Sequence, residues 1–142
     1  MESFQYGQEI TFVADGRPAL GYVSHTWWAD EPRDGREPGS PLAAETGFWR
    51  VQPPDERGHP IVEVTLAHPF GIAEIYVGTV VGTRVDLDSN VLIRTATARE
   101  VTRSVRLYGI IEGGDLAYAV DMEAEGKRMQ SHLSARLHKV SD

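Results

Sequence analysis

Apolar residues recur at every second position along nearly all the regular stretches of this chain, and that period constrains its fold more than any other feature. The stretches are rich in β-branched and aromatic residues and are separated at short intervals by Gly, Pro, Asp and Asn. A period of two puts alternate side chains on opposite faces of a strand, so the chain reads as a succession of half-buried strands joined by turns.

The spacing predicts a first strand over Tyr6–Ala14, with Ile10 and Phe12 on one face and Glu9 and Thr11 on the other. Asp15-Gly16 is a hairpin signal leading into Pro18–Trp28. The tract Ala29–Pro41 is too polar and too broken for a strand or helix and reads as a mobile hairpin loop. Leu42–Val51, Ile61–His68, Gly71–Val80, Thr83–Leu87 and Asn90–Ala98 follow, with turns at Pro53–Pro60, Pro69-Phe70, Val81-Gly82 and Asp88-Ser89. Val101–Ile111, Asp115–Ala124 and Met129–Val140 complete the series, divided by Glu112-Gly113-Gly114 and Glu125-Gly126-Lys127.

That makes about nine or ten antiparallel strands and no long helix to cover an open sheet, and closing the sheet on itself removes edges that invite aggregation. The expectation is an all-β fold: one up-and-down, lipocalin-like β-barrel spanning residues 1–142. Barrels of this size are filled by side chains or hold one small ligand. Function then turns on the interior.

Composition narrows the partners. Fourteen basic against twenty-one acidic side chains leave a formal charge of −7, and the only adjacent Lys/Arg pair is Lys127-Arg128, so nucleic acid and anionic membranes are poor partners. No apolar run approaches the roughly 18 residues that span a bilayer, and Met1-Glu2-Ser3 is polar, which points to the cytoplasm. With no cysteine, a metal must rest on His or carboxylate ligands.

Nucleotide loops, nucleophile elbows and zinc-protease motifs are missing. Asp86 and Asp88 share a face and could hold a hard cation, or be solvated turn residues. His25 and His68 could each line a cavity mouth or cap a strand, while His59 sits in a polar turn. His132 opens the alternating stretch SHLSARLHKV, where the period puts Leu133, Ala135 and Leu137 in the core and His132 outside.

Several segments together, FQYGQEITF at Phe4–Phe12, GRPALGY at Gly16–Tyr22, AETGFWR at Ala44–Arg50, AHPFGIAEIYVG at Ala67–Gly78, RTATAREV at Arg94–Val101 and HLSARL at His132–Leu137, resemble the nitrobindins in family order. These are fatty-acid-binding-protein-like haem β-barrels. The resemblance implies a ten-stranded barrel with one haem b per subunit in its mouth. It makes His132, the histidine of the terminal HLxAxL motif, the axial ligand and, through the iron, the catalytic residue. That ligation implies that the terminal strand turns His132 inward, and a local bulge is one way to do so.

The resemblance further implies a ferric iron that binds nitric oxide and isomerises peroxynitrite to nitrate. Arg99 stands where the family often has lysine, and would meet a haem propionate or face solvent. Phe48, Met122 and Met129 are candidate pocket walls, and equally ordinary core. A homodimer is compatible with the family.

One departure stands out. The family's GxWxGxG first strand and its Tyr-Pro-Thr segment, whose threonine approaches the haem, have no counterpart, and Met1-Glu2-Ser3-Phe4 aligns just after that threonine. Either the start is misassigned or the barrel is incomplete, with edges exposed on Tyr6–Ala14 and on the C-terminal strand. The competing readings are a haem-free carrier of a small apolar ligand such as a fatty acid, and an inactive truncated nitrobindin.

Overall fold

A computed structural model describes residues 4–140; Met1, Glu2 and Ser3, and with them most of the segment set after the family's threonine, lie outside the described residues. Among the described residues nine strands are present: β1 Tyr6–Ala14, β2 Leu20–Trp28, β3 Pro41–Gln52, β4 Ile61–His68, β5 Ile72–Val81, β6 Arg84–Arg94, β7 Val101–Ile110, β8 Leu116–Ala124 and β9 Gln130–Leu137. They hydrogen-bond in chain order, each antiparallel to the next, in one sheet that curls into a nearly closed barrel.

Period-two alternation places the boundaries of β1 and β4 as expected. Asp88-Ser89 is different, because it is not a turn. The expected strands Thr83–Leu87 and Asn90–Ala98 are largely one strand, β6, and its pairing with β5 jumps from Tyr76↔Ser89 to Ile75↔Val91, leaving Asn90 without a partner. A bulge absorbs the turn-forming residues without reversing the chain. Thr95–Ala98 then leaves the sheet, Ala98 N–H donating to the Thr95 carbonyl in a turn.

The Ala29–Pro41 tract, expected to be mobile, is folded against the barrel. Arg33 and Arg36 pair as an isolated bridge, and their guanidinium carbons lie 5.5 and 5.7 Å from the centre of the buried Trp28 ring. The Trp28 indole N–H donates to the Glu31 carbonyl at 2.9 Å. Cation–π attraction and a satisfied indole explain why so polar a tract stays down.

Inside, Tyr22, Val62, Val64, Tyr76, Tyr108 and Tyr118 belong to one buried cluster, and Leu133, Ala135 and Leu137 pack against it from β9, as their alternation predicts. β3 and β4 approach so closely that a Cβ on Gly47 would stand 1.7 Å from the Thr65 carbonyl oxygen. The glycine is required by that contact.

β1 and β9 are the two ends of the sheet and are not hydrogen-bonded to each other as a ladder. Side chains bridge the seam instead. The Tyr6 hydroxyl donates to the Ser134 carbonyl at 2.8 Å and lies 3.1 Å from the Tyr118 hydroxyl, which donates to Gln8. Among the described residues no helix is long and apolar enough to cross a membrane.

Candidate functional site

The pairing of β8 with β9 jumps from Val120↔Leu133 to Asp121↔Ser131, so His132 is the residue left over in a bulge. This resolves the conflict in the sequence. Leu133, Ala135 and Leu137 keep their inward alternation, and the extra residue brings His132 to a half-buried position too. The carrier of the irregularity is a single residue, and it is the histidine.

Burial disfavours a charged imidazole at His132, and the positive charges of Arg99 and Arg106 disfavour it further, holding its pKa below the usual histidine value. Among the described residues no hydrogen bond or ion pair engages the ring, so its nitrogen lone pair remains a donor. Arg99 on the neighbouring loop points Nη1 to within 4.0 Å of the Met122 sulfur, and its Nε donates to Glu125 at 3.0 Å. Arg99, Met122 and His132 thus come together at one end of the barrel. Met129, half-buried, immediately precedes β9.

Phe48 does not join them. It is 48% exposed, and the neighbouring Trp49 takes the inward position, its ring 5.1 Å from that of Tyr108. Alternation allows only one of two adjacent aromatics to face in. His25 is exposed, next to the buried Ser24, and lines an open groove of about 580 Å³ with Trp27, Leu42 and Phe70. Asp86 and Asp88 are each held by an arginine, Arg84 and Arg103, with Nε at 2.9 and 3.0 Å.

Below the His132 level lies a charged network that sequence reading missed. Arg106, 8% exposed, occupies the row formed with Val120 and Leu133. Its Nη1 and Nη2 donate to the two carboxylate oxygens of Glu45 at 2.6 and 2.8 Å, while Nε donates to the Tyr76 hydroxyl at 3.0 Å and Nη1 also reaches the Tyr108 hydroxyl at 3.1 Å. The Tyr22 hydroxyl donates to Glu45 at 2.7 Å. Glu74 accepts from Tyr76 at 2.7 Å and meets His68 Nε2 at 2.6 Å.

Burial alone would raise the pKa values of both carboxyls. For Glu45 the attraction and hydrogen bonds of Arg106 outweigh it, and for Glu74 the hydrogen bond of His68 and the charge of Arg106 do so, so both sit below the usual glutamate value. The signal for this network was available: Arg106 is in phase with Ser104 and Tyr108, and Glu74 with Tyr76. A charge at an inward position needs a partner.

A half-buried imidazole on a bulge, with Arg99 and Met122 in contact at the same end of the barrel, offers a nitrogen donor, a cation and a soft apolar side chain, groups that a haem can use. The family model for the THAP4-like, heme-binding beta-barrel domain matches residues 1–139. The chain belongs to the nitrobindin family. A protein of Frankia alni named peroxynitrite isomerase is 85% identical over 142 residues, covering 100% of this chain and 96% of its own. A ferric nitrobindin-like protein of Kineococcus radiotolerans is 47% identical over 96% of this chain and 78% of its own. The crystal structure of Rv2717c from M. tuberculosis superposes with a TM-score of 0.79 at 36% identity, over 99% of this chain and 84% of that one. The haem-binding barrel of the nitrobindins is therefore the frame for these residues.

Proposed function

We propose that this nitrobindin holds one haem b through His132 and isomerises peroxynitrite to nitrate, the activity for which its Frankia relative is named. The observation that carries the assignment is the bulge that leaves His132 unpaired at the barrel end. When bound, ferric haem would supply the iron chemistry of peroxynitrite isomerisation and nitric oxide binding. His132 donates its imidazole nitrogen, Arg99 offers a cation to a propionate at the rim, and Met122 and Met129 exclude water beside the ring.

The interior network closes the floor. A fatty-acid chain threading the barrel would lie against Arg106, Glu45 and Glu74, which favour no apolar tail, whereas a flat group at the mouth leaves them undisturbed.

Haemin titration of the purified chain and of His132→Ala, followed by the visible spectrum, tests the assignment. A Soret band in the parent that shifts or disappears in the variant is the expected result. The absence of a band in both would overturn it.

A further inference from the structure

All five tyrosines of the chain face inward and make one connected set. Tyr76 and Tyr108 both accept from the Arg106 guanidinium, and Tyr22 joins through Glu45. The Tyr108 ring stacks on Tyr118 at 5.6 Å, and the Tyr118 hydroxyl is 3.1 Å from that of half-buried Tyr6 at the seam. Tyr22, Tyr76, Tyr108 and Tyr118 are between 0 and 7% exposed.

Packing needs explain neither the continuity nor the partners. A phenol buried as filler is satisfied by a neutral carbonyl, yet Tyr22 and Tyr76 each donate at 2.7 Å to a buried carboxylate, which is costly to desolvate. A phenol hydrogen-bonded to a carboxylate can lose an electron while its proton shifts along the existing bond, so no charged phenol radical forms. Both carboxylates lie against the Arg106 guanidinium and the His68 imidazole, which hold them in place to take up the phenolic protons.

We propose that the five tyrosines are a one-electron relay that reduces radical oxidants reaching the barrel interior. Tyr22 and Tyr76 pass their phenolic protons to Glu45 and Glu74, and Tyr6 carries the oxidation to the seam. The oxidant is nitrogen dioxide, released when the O–O bond of peroxynitrous acid breaks homolytically; only this source rests on the peroxynitrite reading above. At Tyr76 the nitrogen dioxide radical gains one electron and becomes nitrite, the tyrosine becomes a neutral phenoxyl radical, and its proton converts the Glu74 carboxylate to the acid. Tyr118 fills the vacancy at Tyr76 by an electron passed across the stacked Tyr108 ring while Tyr76 recovers its proton from Glu74; Tyr6 then restores Tyr118 through their hydroxyl contact, and the one proton lost overall leaves from Tyr6 to solvent at the seam. A second nitrogen dioxide couples to the Tyr6 ring carbon beside the oxygen, and the proton on that carbon moves to the phenolic oxygen to give 3-nitrotyrosine.

Trp49 adjoins Tyr108 but is not an outlet. Its indole N–H is buried and has no hydrogen-bond partner among the described residues, so a proton has nowhere to go.

The test exposes the full chain, at neutral pH and without added haemin or peroxynitrite, to nitrogen dioxide made by pulse radiolysis of nitrite. Phenoxyl absorption is followed in time, and nitrated residues are located by mass spectrometry. The expected result is a phenoxyl transient and nitration concentrated at Tyr6. In Tyr22→Phe/Tyr76→Phe the transient should form about tenfold more slowly and Tyr6 nitration should fall with it. Tyr118→Phe leaves both carboxylate pairs intact; there the transient should persist while nitration at position 6 drops, a readout that does not require the first variant to fold. Unchanged Tyr6 nitration in Tyr118→Phe means direct attack from solvent and overturns the relay. A failed haemin titration would remove the haem assignment without touching this result.

Discussion

The Arg106 guanidinium meets the Glu45 carboxylate at two points inside the barrel, Nη1 to Oε1 at 2.6 Å and Nη2 to Oε2 at 2.8 Å. The strands that carry them, β7 and β3, are not neighbours in the sheet, so the pair spans the interior and ties opposite walls. A two-point pair fixes orientation as well as distance.

Breaking this pair from one side leaves a buried charge without its counter-ion. Arg106→Met should lower unfolding stability by about 3–5 kcal/mol, read from urea denaturation. Adding Glu45→Gln should recover part of that loss, because the uncompensated carboxylate goes with it. Two losses that simply add would show that the charges do not act as a pair.

Acid should weaken the fold through the same residues. Glu45 and Glu74 have folded-state pKa values below the usual 4.5, so above that value they stabilise the folded chain relative to the unfolded one. The contribution is lost as pH falls below 4.5 through the depressed folded values, because protons bind the unfolded carboxylates first. Denaturation midpoints should therefore fall steeply in this window, and less steeply in Glu45→Gln. A parallel slope in the variant would remove Glu45 from the explanation.

The close approach of β3 and β4 gives a sharper contrast between two glycines. A Cβ at position 47 would meet the Thr65 carbonyl oxygen at 1.7 Å, and backbone cannot swing aside as a side chain can. At Gly109 the nearest atom to an added Cβ, the Thr83 carbonyl oxygen, is 3.8 Å away. Gly47→Ala should cost about 3 kcal/mol, while Gly109→Ala should change stability by under about 0.5 kcal/mol. Thermal unfolding of the two variants, compared with the parent, checks the difference.

How far these residues could be read from the sequence depends on what alternation encodes. It placed β1, β4 and the inward set Leu133, Ala135 and Leu137, because turn residues and apolar positions agreed there. It could not choose between Phe48 and Trp49, two adjacent aromatics that differ only in phase. Asp88-Ser89 carried turn chemistry that a bulge uses equally well. Arg106 and Glu74 share the phase of inward Tyr108 and Tyr76, but a charged residue in a strand reads as solvent-facing until its partner, far along the chain like Glu45, is known. The family motif singled out His132, and the register of β8 with β9 makes it the bulged residue, which alternation alone could not show.

That register leads to the most direct test of how the histidine comes to be half-buried. Ser131 pairs with Asp121 and Leu133 with Val120, so His132 is one residue too many for a regular ladder. Deleting Ser131 leaves His132 to pair with Asp121 beside an unchanged Leu133, and strict alternation then sends the imidazole to the opposite face from Leu133. The inward apolar contacts of β9 remain, and so does the histidine itself, which separates orientation from chemistry. The deletion variant should keep the parent's far-ultraviolet circular dichroism and most of its thermal stability while losing the haemin-induced Soret band. If the band persists with the parent's position and intensity, the bulge is not what presents His132, and another residue must supply the iron's ligand.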